Sequence, residues 1–190
     1  MMKFFFVLLL SVSTAHAKDI RPLFEALEDS GEKYFIVGTV CEQVAKLNLE
    51  QIYKAPEFTV TTGIQYGGGK GTIGELDVIV FRNSNKSAVV VAEVKCWSSL
   101  PGALKKAKEQ RKRFLQTLGA GRKLHVTCGG KDCGLSEKNF NQVQKFISIS
   151  QDGGIEKGFD MTLGYSLDEM MELRKQLMSC QERGECRRPQ

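Results

Sequence analysis

The sequence predicts an α/β fold with the element order αβββαβ, in which a mixed β-sheet lies between helices and a helical extension follows at the C-terminus. Two adjacent apolar segments, residues 76–81 and 88–95, are rich in β-branched residues and bounded by turn formers, which is typical of strands. The polar segment 82–87 between them is short enough to make an antiparallel hairpin. Segments with helical spacing of apolar residues stand before and after this hairpin.

The part of the chain before the hairpin is expected to contain two helices and one strand. Residues 20–27 and 32–49 have helical patterns, and the apolar positions of the second are Ile36, Val40, Val44 and Leu47. Pro56 ends this helical region. Residues 58–66 then have the composition of a strand, which leads through a glycine-rich turn into the hairpin.

After the hairpin, a helix is predicted to begin at the Ser-Ser-Leu-Pro segment 98–101 and to run to about Leu118. Residues 123–127 are expected to form another strand, and residues 146–150 a further one. A last helix is predicted over residues 167–178. No repeat, low-complexity tract or long linker divides the chain.

The first 17 residues have the pattern of an export signal. Lys3 supplies the positive start, residues 4–10 form a short apolar run, and Ala15-His16-Ala17 is a small-x-small cleavage site. The apolar run is too short to span a bilayer. We therefore predict a mature chain that begins at Lys18, is exported to the periplasm or the medium, and carries no membrane anchor.

Removal of the 17 signal residues leaves 173 of the 190, a length that suits one domain over residues 18–190. The signal contains one lysine and no acid, so the formal net charge falls from +5 to +4. This modest positive excess is compatible with a polyanionic partner but does not identify one.

All six cysteines lie in the mature part of the chain, and their even number in an exported protein favours disulfides. Zinc binding is less favoured because His125 is the only histidine near any pair. The short glycine-containing segments 128–133 and 180–186 are each able to close a small loop, pairing Cys128 with Cys133 and Cys180 with Cys186. Cys41 and Cys96 then remain as a long-range pair by elimination, one of many pairings that six cysteines allow.

Charged residues interrupt both strands of the predicted hairpin. Asp77 lies in the first strand, and Glu93 and Lys95 lie in the second. Each would cost several kcal/mol if it were buried without a partner. The hairpin brings all three towards the same end of the sheet, and two carboxylates with an ammonium group there are typical of a site for a hard metal ion.

The hairpin and its surroundings resemble the PD-(D/E)xK nuclease superfamily, which has the restriction-endonuclease-like fold. The matching residues are Gly74-Glu75-Leu76-Asp77 on one strand and Glu93-Val94-Lys95 on the next, with Glu42 on the preceding helix and Gln110 on the following one. The resemblance includes the element order and implies a nuclease core over about residues 33–127. A proline before the aspartate is absent from this chain.

The resemblance implies roles that the chemistry of phosphodiester hydrolysis also supports. Asp77, Glu93 and the main-chain carbonyl of Val94 would bind Mg²⁺, and Mn²⁺ is expected to substitute. Lys95 lies two residues after Glu93, hence on the same strand face, where it would position or activate the attacking water or stabilise the transition state.

Three further polar residues have both a functional and an ordinary interpretation. Glu42 matches a helix acid that often completes the site in this family, and an exposed helix acid is an equally good interpretation. Gln110 matches a position that in some members orients substrate or water, although an ordinary surface residue is slightly favoured. Glu75 shares a strand face with Asp77, and a solvated residue at the strand entry is favoured for it.

The helix after the hairpin is strongly basic. Its candidate nucleic-acid-binding residues are Lys105, Lys106, Lys108, Arg111 and Lys112. A solvated helix face is the usual explanation of such a run, but this helix directly follows the strand with the proposed metal ligands. Its lysines would then contact phosphates with an affinity that falls steeply with salt. Trp97 is interpreted equally well as a core anchor or as a surface on which a base stacks.

Taken together, these residues predict an exported Mg²⁺-dependent nuclease that acts on DNA. An alternative of another class is a non-catalytic module that binds nucleic acid or protein on the same fold. A third interpretation, a structural protein with a buried salt-bridge network, is the least favoured because such pairs are rarely net stabilisers.

Overall fold

A seven-stranded mixed sheet forms the centre of the protein in a computed structural model that describes residues 18–68, 71–120 and 124–189. The strands are β1 (Phe58–Gly67), β2 (Thr72–Arg82), β3 (Ser87–Lys95), β4 (His125–Cys128), β5 (Lys131–Asp132), β6 (Lys145–Ser150) and β7 (Met161–Thr162). The α-helices of these residues are α1 (Arg21–Leu27), α2 (Thr39–Ile52), α3 (Leu100–Gly119) and α4 (Leu167–Arg183). The predicted α/β class and mixed sheet are confirmed, and the predicted export signal lies outside the described residues.

The strand order is β5-β4-β1-β2-β3-β6-β7. The predicted hairpin is confirmed as the antiparallel pair β2–β3, with Val78 opposite Ala92 and Val80 opposite Val90. On its other side β3 pairs in parallel with β6, and β6 pairs in parallel with β7. The strand predicted over residues 146–150 is confirmed as β6, but β7 is not predicted, so the C-terminal extension is not helical alone: it adds this strand to the sheet before α4 begins.

Strand β3 is buried on both faces because helices cover the sheet from two sides. A larger apolar cluster joins the sheet to α1, α2 and α4, and a second cluster joins its other face to α3 around Phe114. Every residue of β3 from Ser87 to Val94 is buried, and the terminal Lys95 is partly buried. This double burial explains the nearly continuous apolar run in the sequence, and it makes Glu93 an exception that needs a reason.

The second helix begins later than the sequence pattern indicates. The predicted segment 32–49 becomes α2 only at Thr39, with Gly38 at the N-cap, and it continues to Ile52. Residues 35–37 lie before it and are exposed, with Ile36 at 52 %. The prediction counted Ile36 as an inward-facing helical position, but the buried stripe is formed by Val40, Val44 and Leu49.

The three predicted disulfides are confirmed, and each of them ties together parts of the sheet or its covering helices. Cys41 of α2 is bonded to Cys96, the residue after β3. The pair Cys128–Cys133 closes the β4–β5 turn, and Cys180–Cys186 fastens the chain end to α4. None of the helices in the described part of the chain is long and apolar enough to cross a membrane.

Candidate active site

Asp77, Glu93 and Lys95 meet at one end of the β2–β3 hairpin, as the sequence predicts. Asp77 is 6 % exposed and Glu93 4 % exposed. The backbone pairing of β2 with β3 ends at the pair Val78–Ala92. Beyond this pair, a hydrogen bond to the Asp77 side chain replaces the backbone hydrogen bonds between the two strands. Its Oδ2 accepts a hydrogen bond from the Val94 N–H at 2.8 Å, so the backbone of one strand fixes the carboxylate of the other.

The ammonium group of Lys95 lies where the three predicted ligand groups converge. Its Nζ is 2.5 Å from Asp77 Oδ2, 3.0 Å from the Val94 carbonyl oxygen and 3.6 Å from Glu93 Oε2. The oxygens of Asp77, Val94 and Glu93 therefore already surround one cation. A buried ion pair of this kind stabilises a fold little, because the cost of removing the charges from water offsets most of their attraction. A purely structural role therefore explains these residues poorly.

Glu93 lacks the partners that a buried carboxylate normally has. Neither of its oxygens has a hydrogen-bond donor, and both are inaccessible to solvent. Burial raises the pKa of Glu93 to about 8, and the negative charge of Asp77 adds to the shift, while Lys95 opposes it. A buried acceptor without a donor costs about 1–3 kcal/mol, and more if it is charged. Such a group suits a site in which a bound cation supplies the missing interaction.

The donor set is compatible with Mg²⁺, which accepts a few carboxylate or carbonyl oxygens and keeps several waters. Among residues 18–68, 71–120 and 124–189, no group of three or more His, Cys, Asp and Glu side chains is arranged as a metal site. Two carboxylates and the Val94 carbonyl are thus the protein ligands that this site can offer, and they fit Mg²⁺ better than zinc, which prefers nitrogen and sulfur.

Glu42 of α2 lies close enough to Asp77, Glu75 and Lys95 for their charges to affect its pKa. Burial raises the pKa of Glu42 to about 8, and the charges of Asp77 and Glu75 raise it further. Interpretation of Glu42 as an exposed helix acid is therefore wrong. Glu75 is exposed, as favoured from the sequence, and it shares with Glu42 a groove of about 500 Å³. The pKa of Glu75 is raised, mainly by partial desolvation and next by the negative charge of Asp77.

Gln110 lies on the stripe of α3 that faces the sheet, together with Ala107 and Phe114. It is partly buried, and its Oε1 is inaccessible and has no hydrogen-bond donor. The slightly favoured interpretation as an ordinary surface residue is wrong for this reason. Gln110 offers a free acceptor on the side of the sheet that α3 covers.

The basic residues of α3 do not all point towards the site. Lys108 and Arg111 line a cavity that Glu93 also lines, and Lys112 lies beside them on the adjoining surface. Lys105 and Lys106 are exposed, and they line neither the cavity nor the adjoining surface. Trp97 is 46 % exposed, so the interpretation as a core anchor is wrong, while stacking on a base stays a prediction.

The sequence does not predict two features of the site: the residues that line its cavity and the position of one disulfide beside it. Asp160 and Phe146, which line the cavity beside Glu93, come from the β6–β7 region, whose parallel pairing with β3 spans more than 50 residues. The disulfide Cys41–Cys96 connects two residues that are sequence neighbours of Glu42 and Lys95. Each of these cysteines stands next to a candidate site residue in the sequence, so the position of the disulfide follows once its pairing is known.

Searches against protein-family models, curated proteins and solved structures found no match to this chain.

Proposed function

We propose that this protein is an exported Mg²⁺-dependent nuclease of the PD-(D/E)xK superfamily, with a restriction-endonuclease-like fold, that hydrolyses phosphodiester bonds in DNA. The observation that carries the proposal is the convergence of Asp77, Val94 and Glu93 oxygens on one cation position. The two Glu93 oxygens, buried without donors, support it further.

A bound Mg²⁺ ion would neutralise charge that develops on the phosphate and orient a water molecule. Asp77, Glu93 and the Val94 carbonyl would hold the ion. The Val94 N–H keeps the Asp77 carboxylate in a single orientation, which limits the reorganisation needed for binding. Lys95 adds a positive charge within 4 Å of both carboxylates, where it would position or activate the attacking water.

Glu42 and Gln110 extend the site on two sides. The carboxyl group of Glu42 is close enough to Asp77 for the charge of Asp77 to raise its pKa, so it would complete the acidic side of the site. Gln110 would orient substrate or water through its amide group, as the resemblance implies. Lys108, Arg111 and Lys112 would contact phosphates beside the bond that is cut.

Export to the periplasm or the medium is supported by the leader-like first 17 residues and by the three disulfides. Disulfides persist in oxidising compartments and are rare in reducing ones. An exported nuclease would act away from the chromosome of its own cell, on nucleic acid that it meets outside.

The test uses the oxidised chain from Lys18 onwards, incubated with plasmid DNA and Mg²⁺ or Mn²⁺ over a range of pH. We expect cleavage that EDTA abolishes and that added metal restores. The Asp77→Asn variant should lose it, whereas Asp29→Asn, an exposed acid away from the site, should not. Absence of metal-dependent cleavage by folded, oxidised protein would reject the nuclease.

The alternative is a non-catalytic binding module, and one observation favours it: Lys95 donates a hydrogen bond to Asp77, so a partner within the protein satisfies that carboxylate. Calorimetric titration with Mn²⁺ discriminates between the two functions. The nuclease requires binding that is lost in Asp77→Asn. A module in which Lys95 and Asp77 form only a structural ion pair requires no metal binding in either protein, together with nucleic-acid binding that does not depend on metal.

A further inference from the structure

A cavity of about 270 Å³ lies between α3 and strands β3 and β6, next to the candidate active site. The polar residues that line it are Glu93, Lys108, Arg111, Ser148 and Asp160, and the aromatic ones are Phe114 and Phe146. Small-molecule pockets occupy roughly 300–1,000 Å³, and this cavity is slightly smaller than that range, which limits its occupant to one small planar group. Glu93 therefore belongs both to the proposed metal site and to the wall of this cavity.

One side of the cavity is apolar and aromatic. Phe146 of β6 lies partly exposed there, and the guanidinium of Arg111 is 4.9 Å from the centre of its ring. Phe114, fully buried, packs against Phe146 from within the second apolar cluster, with ring centres 6.4 Å apart. A planar π-system and a planar cation are the surfaces on which nucleic-acid bases stack.

The carboxylate of Asp160 in the cavity wall disfavours a phosphate in direct contact with it. Asp160 is held by two hydrogen bonds, from the N–H and the hydroxyl of Ser148, each 2.8 Å long and both ending on Oδ2. Its carboxylate is thereby fixed as an acceptor. A neutral planar group with N–H donors suits this acceptor. Lys108 and Lys112 remain available at the exposed surface of α3 for phosphates that flank such a group.

We infer that this cavity holds one unpaired nucleobase of the strand being cut, beside the phosphate at the metal site. This inference rests on the proposed nuclease function and assigns its substrate class as single-stranded or locally unpaired nucleic acid. A base within an intact duplex would have to leave the stack, which costs a few kcal/mol. Single strands therefore bind without that cost.

The first experiment changes the substrate and leaves the protein intact. Single-stranded oligonucleotides with one abasic site at a defined position are cut in Mg²⁺, and the products are separated at single-nucleotide resolution. Loss of one base–aromatic stacking interaction should slow cleavage about tenfold at the bond next to the abasic site. Bonds further away should be cut as before, and the intact duplex should be cut more slowly than the single strand.

The second experiment measures binding without turnover. In EDTA, fluorescence anisotropy compares an oligothymidine with an abasic strand of the same length, which has the same phosphates and no bases. We expect the wild type to bind the oligothymidine about tenfold more tightly. The Phe146→Leu variant should lose this preference, whereas Phe140→Leu should retain it, because Phe140 belongs to the same apolar cluster but does not line the cavity.

The outcomes separate this inference from the proposed function. Cleavage that is equal on single strands and duplex, with no effect of the abasic site, overturns the inference and retains the nuclease. A protein that cuts no substrate, yet prefers strands with bases through Phe146, retains the base-binding cavity and rejects the nuclease. Circular dichroism of Phe146→Leu and Phe140→Leu confirms that both fold, and if Phe146→Leu does not, the abasic substrates decide alone.

Discussion

The disulfide between Cys41 and Cys96 joins the sequence neighbours of two candidate active-site residues. Cys41 precedes Glu42 on α2, and Cys96 follows Lys95 at the end of β3, with their Cα atoms 6.5 Å apart. The negative charge of Asp77 raises the pKa of both Glu42 and Glu93, which means that Asp77 repels these carboxylates when they are charged. The disulfide opposes that repulsion by holding α2 against the end of β3.

Removal of this disulfide should lower both stability and activity. Its loop spans 55 residues, against 5 for Cys128–Cys133, and chain entropy predicts losses of about 4 and about 2 kcal/mol respectively. Urea unfolding of the Cys41→Ala/Cys96→Ala double variant tests the first figure, with Cys128→Ala/Cys133→Ala as the control. DNA cleavage under conditions where both variants are folded should fall only in the first. Equal activities would mean that this disulfide does not position the site.

Substitution of Lys95 by alanine should affect metal binding and cleavage in opposite directions. The ammonium group of Lys95 lies where the proposed ligand oxygens converge, so it competes with a metal ion for these oxygens. Its removal should therefore tighten Mn²⁺ binding, measured by calorimetry. Cleavage should nevertheless fall by about 10²–10⁴-fold, the usual contribution of a group that activates or positions a reactant. Lys175→Ala, an exposed lysine of α4, serves as the control. Weaker metal binding in Lys95→Ala would contradict the competition.

Substitution of Glu93 by glutamine should stabilise the metal-free protein while it abolishes metal-dependent cleavage. The pKa of Glu93 is raised to about 8, first by burial and then by Asp77, so the wild type carries an unfavourable buried charge at pH 9. At pH 6 the group is already mostly neutral, and the variant should then unfold near the wild-type temperature. Thermal unfolding in EDTA at both pH values checks this, and a lower melting temperature of the variant at pH 9 would refute it.

The stability of the metal-free protein should fall as the pH rises from about 4.5 to about 8. Glu42 and Glu93 have pKa values of about 8 in the folded protein against an ordinary value of 4.5. Within this window the folded state retains protons that the unfolded state has released, so folding becomes less favourable with increasing pH. Urea unfolding in EDTA at several pH values measures the slope, which the double variant Glu42→Gln/Glu93→Gln should largely remove. Saturating Mg²⁺ should also reduce it, since the metal binds the deprotonated form.

The salt dependence of DNA binding should identify which lysines of α3 contact phosphates. Lys108 and Lys112 belong to the surface next to Glu93, whereas Lys105 lines neither the cavity nor that surface. Each lost phosphate contact should reduce the slope of log K against log salt by about 0.7–0.9. We therefore expect this reduction for Lys108→Ala and Lys112→Ala but not for Lys105→Ala. Equal reductions in all three would indicate a diffuse basic face.

The sequence was sufficient to predict the hairpin and the site because both depend on local patterns. Charges in otherwise apolar strands such as β3 indicate a site, and the strict alternation of strands fixes their faces. The disulfide Cys128–Cys133 follows from short spacing. The two-residue strands β5 and β7 have no sequence pattern of their own, since they form only by pairing with a neighbour. Asp160 was missed for the same reason, because only the tertiary fold brings it to Ser148.

The predicted start of α2 lies too early in the chain because the sequence pattern does not show which positions are exposed. Ile36 continues the helical spacing of Val40 and Val44, but spacing alone does not distinguish a buried position from an exposed one. Gly38, a weak helix former, was the better indication of the boundary.

The parallel pairing of β3 with β6 limits how far this protein can be shortened. A fragment that ends near residue 127 keeps Glu42, Asp77, Glu93 and Lys95, but it lacks Lys145–Ser150. Strand β3 would then be the outer strand of its sheet, with unpaired backbone N–H and C=O groups along an apolar segment, a template for aggregation. The candidate active-site residues are thus not an independent folding unit, and a shortened form must extend through β6.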